Sequence, residues 1–176
     1  MSFKRPQEVE KIVKHYAGLD MVGELIVFNN NLLETDLTPL AESIPKLLVL
    51  QTANDLGVHT RFSAGTLATH EAILFQDDDV LLSAEAIHKL LSEFHRHPLS
   101  IHGIWGRWPT RSNPYRPGEI PPDFTRAPIV LTRAFVVNKA HMGTFWVAAP
   151  HLDFLAASAT PRWNGEDILF SLSICA

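Results

Sequence analysis

Ala72-Ile-Leu-Phe-Gln-Asp-Asp-Asp-Val-Leu-Leu82 is the stretch on which the reading of the fold turns. Ala72 to Phe75 is a short, continuous apolar run, the pattern of a strand buried on both faces. It stops in three successive carboxylates, Asp77, Asp78 and Asp79. Like charges in a row repel one another, and each is costly to bury alone. A cation at the end of the strand removes that cost. Side chains alternate along an extended chain, so Asp77 and Asp79 are expected on one side and Asp78 on the other. Two carboxylates on one side suit a hard divalent ion such as Mn2+ or Mg2+, which takes oxygen ligands and leaves positions for phosphate oxygens. The competing reading is an acidic turn that caps the next helix. Ligand sites in open α/β sheets lie at the carboxyl ends of strands, which favours the metal.

Working toward the N-terminus, the chain alternates helix and strand signals. Lys46-Leu-Leu-Val-Leu-Gln51 and Glu24-Leu-Ile-Val-Phe28 read as strands, the second ending in Asn29-Asn30-Asn31. Thr38-Pro39 reads as an N-cap and first helical residue. Pro6 opens a helix with Val9, Ile12, Val13 and Tyr16 on one face, which Gly18 can close. Thr52-Ala-Asn-Asp-Leu-Gly57 is a polar loop, joined to the Asp-bearing strand by a short spacer. Toward the C-terminus, Ser83 caps a helix whose inner face is Ile87, Leu90, Leu91 and Phe94, and Pro98 ends it. This alternation predicts a mostly parallel sheet with flanking helices.

Beyond Pro98 the pattern changes. Ser100-Ile-His-Gly-Ile-Trp105 and Pro128-Ile-Val-Leu-Thr132 read as strands. Between them a long loop carries five prolines and Arg107, Arg111, Arg116 and Arg126; loops of that length are commonly functional. Residues 134–154 mix strand and helix, 163–167 form a turn, and 168–175 read as a helix with Ile168, Leu169 and Leu172 inward.

Composition bounds the function. The 176 residues are 46% hydrophobic and 19% charged, ordinary for one globular domain. A net charge of −4 without a basic run argues against a nucleic-acid partner. The single Cys175 excludes an intramolecular disulfide and reads as packing on an apolar helix face. No apolar run reaches the ~18 residues of a transmembrane helix. The chain opens directly on a helix and stops inside its last one. A single domain cut at both ends is therefore expected over 1–176, with 1–98 as a nucleotide-binding half and 99–176 as an acceptor-side half.

An ordered set of blocks resembles the exostosin-type glycosyltransferase family. Ile26-Val-Phe-Asn-Asn30 is similar to its strand ending in paired asparagines. Gln51-Thr-Ala-Asn54 with Arg61-Phe62 is similar to its asparagine-to-arginine segment, with extra residues between the two. Asp77-Asp-Asp-Val80 is similar to its Asp-x-Asp metal motif. Ile101-His-Gly-Ile104 with Arg107, Ile129-Val-Leu-Thr132 and Asn164-Gly-Glu-Asp-Ile168 follow in the family's order. The resemblance implies a nucleotide-diphospho-sugar transferase fold of the A type. It also implies transfer of a sugar, N-acetylhexosamine, from a UDP-sugar donor to a glycan acceptor with retention of configuration.

The resemblance further implies Mn2+ (or Mg2+) held by Asp79 with Asp77. Substrate contacts would come from Arg5, Asn30, Asn54, Arg61, Asp77, Asp78 and Arg107, with Trp163 stacking on the acceptor. Asp167, with Glu166, would carry catalysis beneath the sugar. Family members are Golgi or endoplasmic reticulum lumenal and membrane-associated. Three departures stand out. Gly165 occupies the position of a cysteine that forms a disulfide in the family. Arg133 occupies the position of a glycine after Leu-Thr. The opening strand is reduced to Ser2-Phe3-Lys4-Arg5. Two other readings stay open: an inactive relative that binds nucleotide sugar or glycan, and a Mg2+-dependent phosphatase of the haloacid-dehalogenase type. The latter class needs a downstream lysine, for which only Lys139 is present after the triad's helix.

Overall fold

The computed structural model describes residues 5–31, 35–53, 56–108, 126–148 and 165–175. The Pro6 signal holds. Helix α1 runs Pro6–Ala17 with Val9, Val13 and Tyr16 buried, and Gly18 follows as its C-cap. Strand β1 (Leu25–Asn29) comes next. Helix α2 (Thr38–Ser43) begins one residue earlier than the Thr38 cap predicts, because Asp36 Oδ1 accepts from the Thr38 N–H at 2.8 Å and takes over the capping. Strand β2 (Leu47–Gln51) pairs with β1 in parallel, Leu25 opposite Leu47 and Asn29 opposite Gln51.

Helix α3 (Thr60–Thr66) stands where a spacer was expected. Its sequence, Thr-Arg-Phe-Ser-Ala-Gly-Thr, has little helical periodicity, and tertiary packing holds it. Phe62 is fully buried, and Gly65 lies so close to its neighbours that an added Cβ would come within 2.6 Å of both Met142 Sδ and Phe75 Cζ. Strand β3 (Ala72–Gln76) and helix α4 (Ala84–Arg96) follow the expected pattern, with Ser83 Oγ accepting from Ala86 N as the N-cap. Then come short strands β4 (His102–Gly103), β5 (Gly106–Arg107) and β6 (Ile129–Val130). Strand β7 (Ala134–Asn138), a 3-10 turn at Lys139–His141, helix α5 (Met142–Ala148) and helix α6 (Glu166–Cys175) complete the described chain.

The mostly parallel sheet is not what the described residues form. Only β1–β2 is parallel; β3–β7, β4–β7 and β5–β6 are antiparallel. The physical reason lies in β7. Helix α4 does return the chain parallel to β3, as a βαβ crossover must. The returning strand β4 is placed one position further out, and β7 fills the space between them running the other way. β7 is buried at all five positions, the mark of a central strand.

The core beside β7 is aromatic. Phe62 stacks on Phe170 at 4.4 Å between ring centroids, and Phe75 stacks on Phe135 at 5.1 Å. Leu169 and Phe170 carry α6 into this cluster, whereas Leu172, expected inward, is exposed. Glu166 and Asp167, at the start of α6, are thereby fixed against the domain. No helix among the described residues is long and apolar enough to cross a membrane.

Candidate active site

The site grows from the end of β3. The strand stops at Gln76, and Val80 N bonds back to Asp77 O at 3.4 Å, so the acidic triad lies in a turn rather than in extended chain. The expected alternation fails for that reason. Asp77 turns to one partner, and Asp78 and Asp79 share another. Asp77 Oδ1 lies 2.7 Å from Arg61 Nη2. Arg5 Nη1 lies 3.2 Å from both Asp78 Oδ1 and Asp79 Oδ2. Asp79 Oδ1 lies 3.7 Å from Arg133 Nε, and the Arg133 guanidinium sits 5.0 Å over the Trp105 ring. The pair of carboxylates, Asp78 foremost and Asp79 next, raises Arg5 above the ordinary guanidinium value.

Arg61 is 5% exposed, and its guanidinium is used within the protein. Nε donates to Val58 O at 3.1 Å, Nη1 to Thr132 O at 2.7 Å, and Nη2 to Asp77. Within the domain Arg61 orients Asp77 and ties β3 to the 131–133 turn. Thr132 continues the connection, its hydroxyl donating to Glu166 Oε1 at 2.6 Å. Gly165 N donates to Glu166 Oε2 at 3.1 Å. One hydrogen-bonded path therefore runs from Asp77 through Arg61 and Thr132 to Glu166, and joins the triad to the start of α6. Asp167, buried beside it, accepts from Ile168 N at 2.8 Å.

The remaining candidates are placed as follows. Asn30 is buried; its amide donates to Gly57 O and its carbonyl oxygen accepts from the Thr52 hydroxyl, each at 3.3 Å. It pins both ends of the 52–57 segment. Arg107 lies in β5 opposite Ile129. Asn54 and Trp163 lie outside the described residues. Asn29 and Gln51 escaped the sequence reading. Asn29 Nδ2 donates to Thr35 O and Gln51 Oε1, and Gln51 also accepts from Leu37 N, which fixes the 35–37 segment on the strand ends. Polar residues closing two apolar strands side by side were the available signal. Thr132 was noted only as part of a block, and nothing in sequence marks its hydroxyl as a bridge.

Among the described residues, no three acidic, histidine or cysteine groups converge on one point. Asp79 nevertheless fits one side of a divalent-ion site. It is a 41% exposed carboxylate whose two oxygens already face positive groups. Mg2+-like ions are commonly held by one or two carboxylates, with phosphate oxygens and water completing the shell. Asp77, oriented by Arg61, is the second carboxylate of the same turn.

Comparison with known proteins gives the chain a family and a fold. The model of the glycosyl transferase family 64 domain matches residues 1–176. A curated relative, glucosamine inositolphosphorylceramide transferase 1 of Arabidopsis thaliana, is 28% identical over 103 residues, which is 58% of this chain and 13% of the relative. A crystal structure of GalNAc-T7 with UDP, GalNAc and Mn2+ superposes with a TM-score of 0.57 at 15% identity, over 86% of this chain and 34% of that one. At that identity the superposition establishes the shared A-type glycosyltransferase fold. The chain thus spans a minor part of each of these two proteins. With the whole sequence covered by one family model, the fold shared with a sugar transferase, and acidic residues at the end of β3, the phosphatase reading falls away and the chain belongs to the glycosyl transferase family 64 domain.

Proposed function

We propose that this domain transfers a sugar, N-acetylhexosamine, from a UDP-sugar to a glycan acceptor in the exostosin-like manner, with Mn2+ (or Mg2+) at Asp79 and retention of configuration. The observation that carries the reading is the path Asp77–Arg61–Thr132–Glu166. It links the acidic turn, where a diphosphate would leave, to the carboxylates at the start of α6, where an acceptor would be activated.

Residue roles follow from the contacts. Asp79 holds the metal, assisted by Asp77, and the metal when bound neutralises the charge that develops on the departing diphosphate. Asp78 and Arg5, at the rim of the same turn, face the donor. Asn30 ties Thr52 to Gly57 on the nucleotide side, and Asn54 is a further nucleotide contact; Arg107 and Trp163 serve the acceptor side. Asp167 orients or deprotonates the acceptor hydroxyl beneath the sugar. Glu166, with both oxygens engaged by Thr132 and Gly165, positions Asp167. Residues 1–98 then supply the donor half and 99–176 the acceptor half.

Isothermal titration of UDP into the chain, with and without Mn2+, tests this. Mn2+-dependent binding that Asp79→Asn abolishes is the expected result. Equal binding by Asp79→Asn would remove the metal site. No UDP binding by the unaltered chain in either condition would remove the donor reading altogether.

A further inference from the structure

Arg133 stands where the ladder between β3 and β7 opens onto the acidic turn. Ala134 pairs with Gln76, and one residue further Asp77 N donates to Arg133 O at 2.9 Å. The backbone of Arg133 is thereby fixed beside the triad, and its half-exposed side chain reaches Asp79.

Three guanidinium groups surround the three carboxylates, and they are used differently. Arg61 is buried and donates from Nε, Nη1 and Nη2 alike. Arg5 sets Nη1 3.2 Å from both Asp78 and Asp79. Arg133 meets Asp79 only through Nε, at 3.7 Å, and among the described residues its two Nη groups meet no acceptor. A well-made contact between such charged groups is about 2.8 Å long. An exposed pair held by one long contact adds little to stability. The fork of donors that a guanidinium carries is therefore largely unspent here.

An aromatic face holds this group in place. The Arg133 guanidinium lies 5.0 Å from the centre of the Trp105 ring. Trp105 is itself anchored: its O accepts from Leu131 N at 2.9 Å, and the preceding Ile104 N donates to Ala134 O at 3.3 Å. Its ring packs on the cluster that contains Val80, Leu82 and Ala134. A guanidinium stacked on a ring keeps its in-plane N–H groups for partners at the edge.

Charge decides when that fork is used. Three carboxylates face three guanidinium groups, so the turn is balanced as it stands. A divalent ion on Asp79 takes the oxygens that Arg5 and Arg133 now face, and leaves the turn in positive excess. Phosphate oxygens are then drawn to the same place, and a planar guanidinium meets them two at a time.

We propose, on the UDP-sugar reading above, that Arg133 is a contact of the donor's diphosphate, carried on the face of Trp105 and exchanging Asp79 for phosphate oxygens when the metal takes that carboxylate. The arginine adds a grip that a glycine at this position cannot make.

Isothermal titration of UDP at saturating Mn2+, beside titration of Mn2+ alone, tests this. Arg133→Ala is expected to weaken UDP about 10- to 100-fold, the scale of hydrogen bonds to a charged group, without weakening Mn2+. A damaged fold would loosen both ligands together. Trp105→Leu keeps apolar packing but removes the ring face, and is expected to weaken UDP in the same direction. UDP binding unchanged in Arg133→Ala would overturn the contact and leave the UDP reading intact, and so would equal weakening of UDP and Mn2+. Unchanged UDP binding in Trp105→Leu would overturn the part given to Trp105. No UDP binding by the unaltered chain would remove the donor reading itself, and this contact with it.

Discussion

Arg61 Nη2 meets Asp77 Oδ1 at 2.7 Å from a side chain that is 5% exposed, and the same guanidinium grips Thr132 O at 2.7 Å. A single buried cation thus sets the geometry of the acidic turn and of the turn that leads to Glu166. Arg61→Ala leaves the Thr132 carbonyl without its partner and Asp77 without its orienting charge. We expect a loss of about 2–3 kcal/mol in urea unfolding, the scale of hydrogen bonds to a charged group. Arg61→Lys should recover little of it, because one ammonium cannot reproduce the fork. Full stability in Arg61→Ala would show that the path carries no energy.

Arg133 competes for the charge that a metal would neutralise. Its Nε stands 3.7 Å from Asp79 Oδ1 while the guanidinium lies on Trp105, and it is half exposed. An exposed ion pair of this kind is worth about 0.5–1 kcal/mol. Arg133→Gly should therefore tighten Mn2+ binding about two- to fivefold, read by titration of free Mn2+ in an EPR spectrometer. Weaker Mn2+ binding in that variant would mean that Arg133 supports the site instead.

The elements with strong periodic signals were legible, and those set by long-range contacts were not. α1 and α4 each follow from an apolar face with a proline or a serine at the start. The end of β3 gave the acidic turn, but not its geometry, because the strand ends at Gln76 and the turn that follows directs Asp78 and Asp79 toward Arg5. α3 escaped because Phe62 and Gly65 are held by partners ten or more residues away. The antiparallel course of β7 escaped because alternation of helix and strand does not say which strand lies between two others. The use of Arg61 escaped because sequence gives a residue's type and not its burial.

Gly165 is the residue on which the start of α6 depends. Its φ of 141° lies in a region that side chains rarely adopt, and its N–H bonds Glu166 Oε2. Gly165→Ala should cost about 1–2 kcal/mol and shift Glu166 off Thr132. Gly143 in α5 is the internal comparison: an added Cβ there meets no atom within 4 Å, so Gly143→Ala should be neutral or stabilising by up to about 1 kcal/mol. Urea midpoints of the two variants check the contrast, and equal effects would sink it.

Acid should weaken the domain in two separable steps. Burial lowers His141 below the usual imidazole value, although its bond to Leu99 O works the other way. The folded form therefore holds fewer protons than the unfolded chain as pH falls through about 6.5, and stability drops there. Burial pushes Glu24 up, but the Thr69 N–H, the Thr69 hydroxyl and the His70 N–H outweigh it and hold the carboxyl below its ordinary range. Its contribution is complete above about pH 4.5 and is lost as pH falls through the lowered folded value. Urea unfolding from pH 7 to pH 3 should show both declines. His141→Gln should flatten the upper one and Glu24→Gln the lower one, each leaving the other in place. Glu24 also bridges the approaches to β1 and β3, so Glu24→Gln should reduce stability at neutral pH as well, and an unchanged midpoint at pH 7 would mean that this bridge does not hold the two strands side by side.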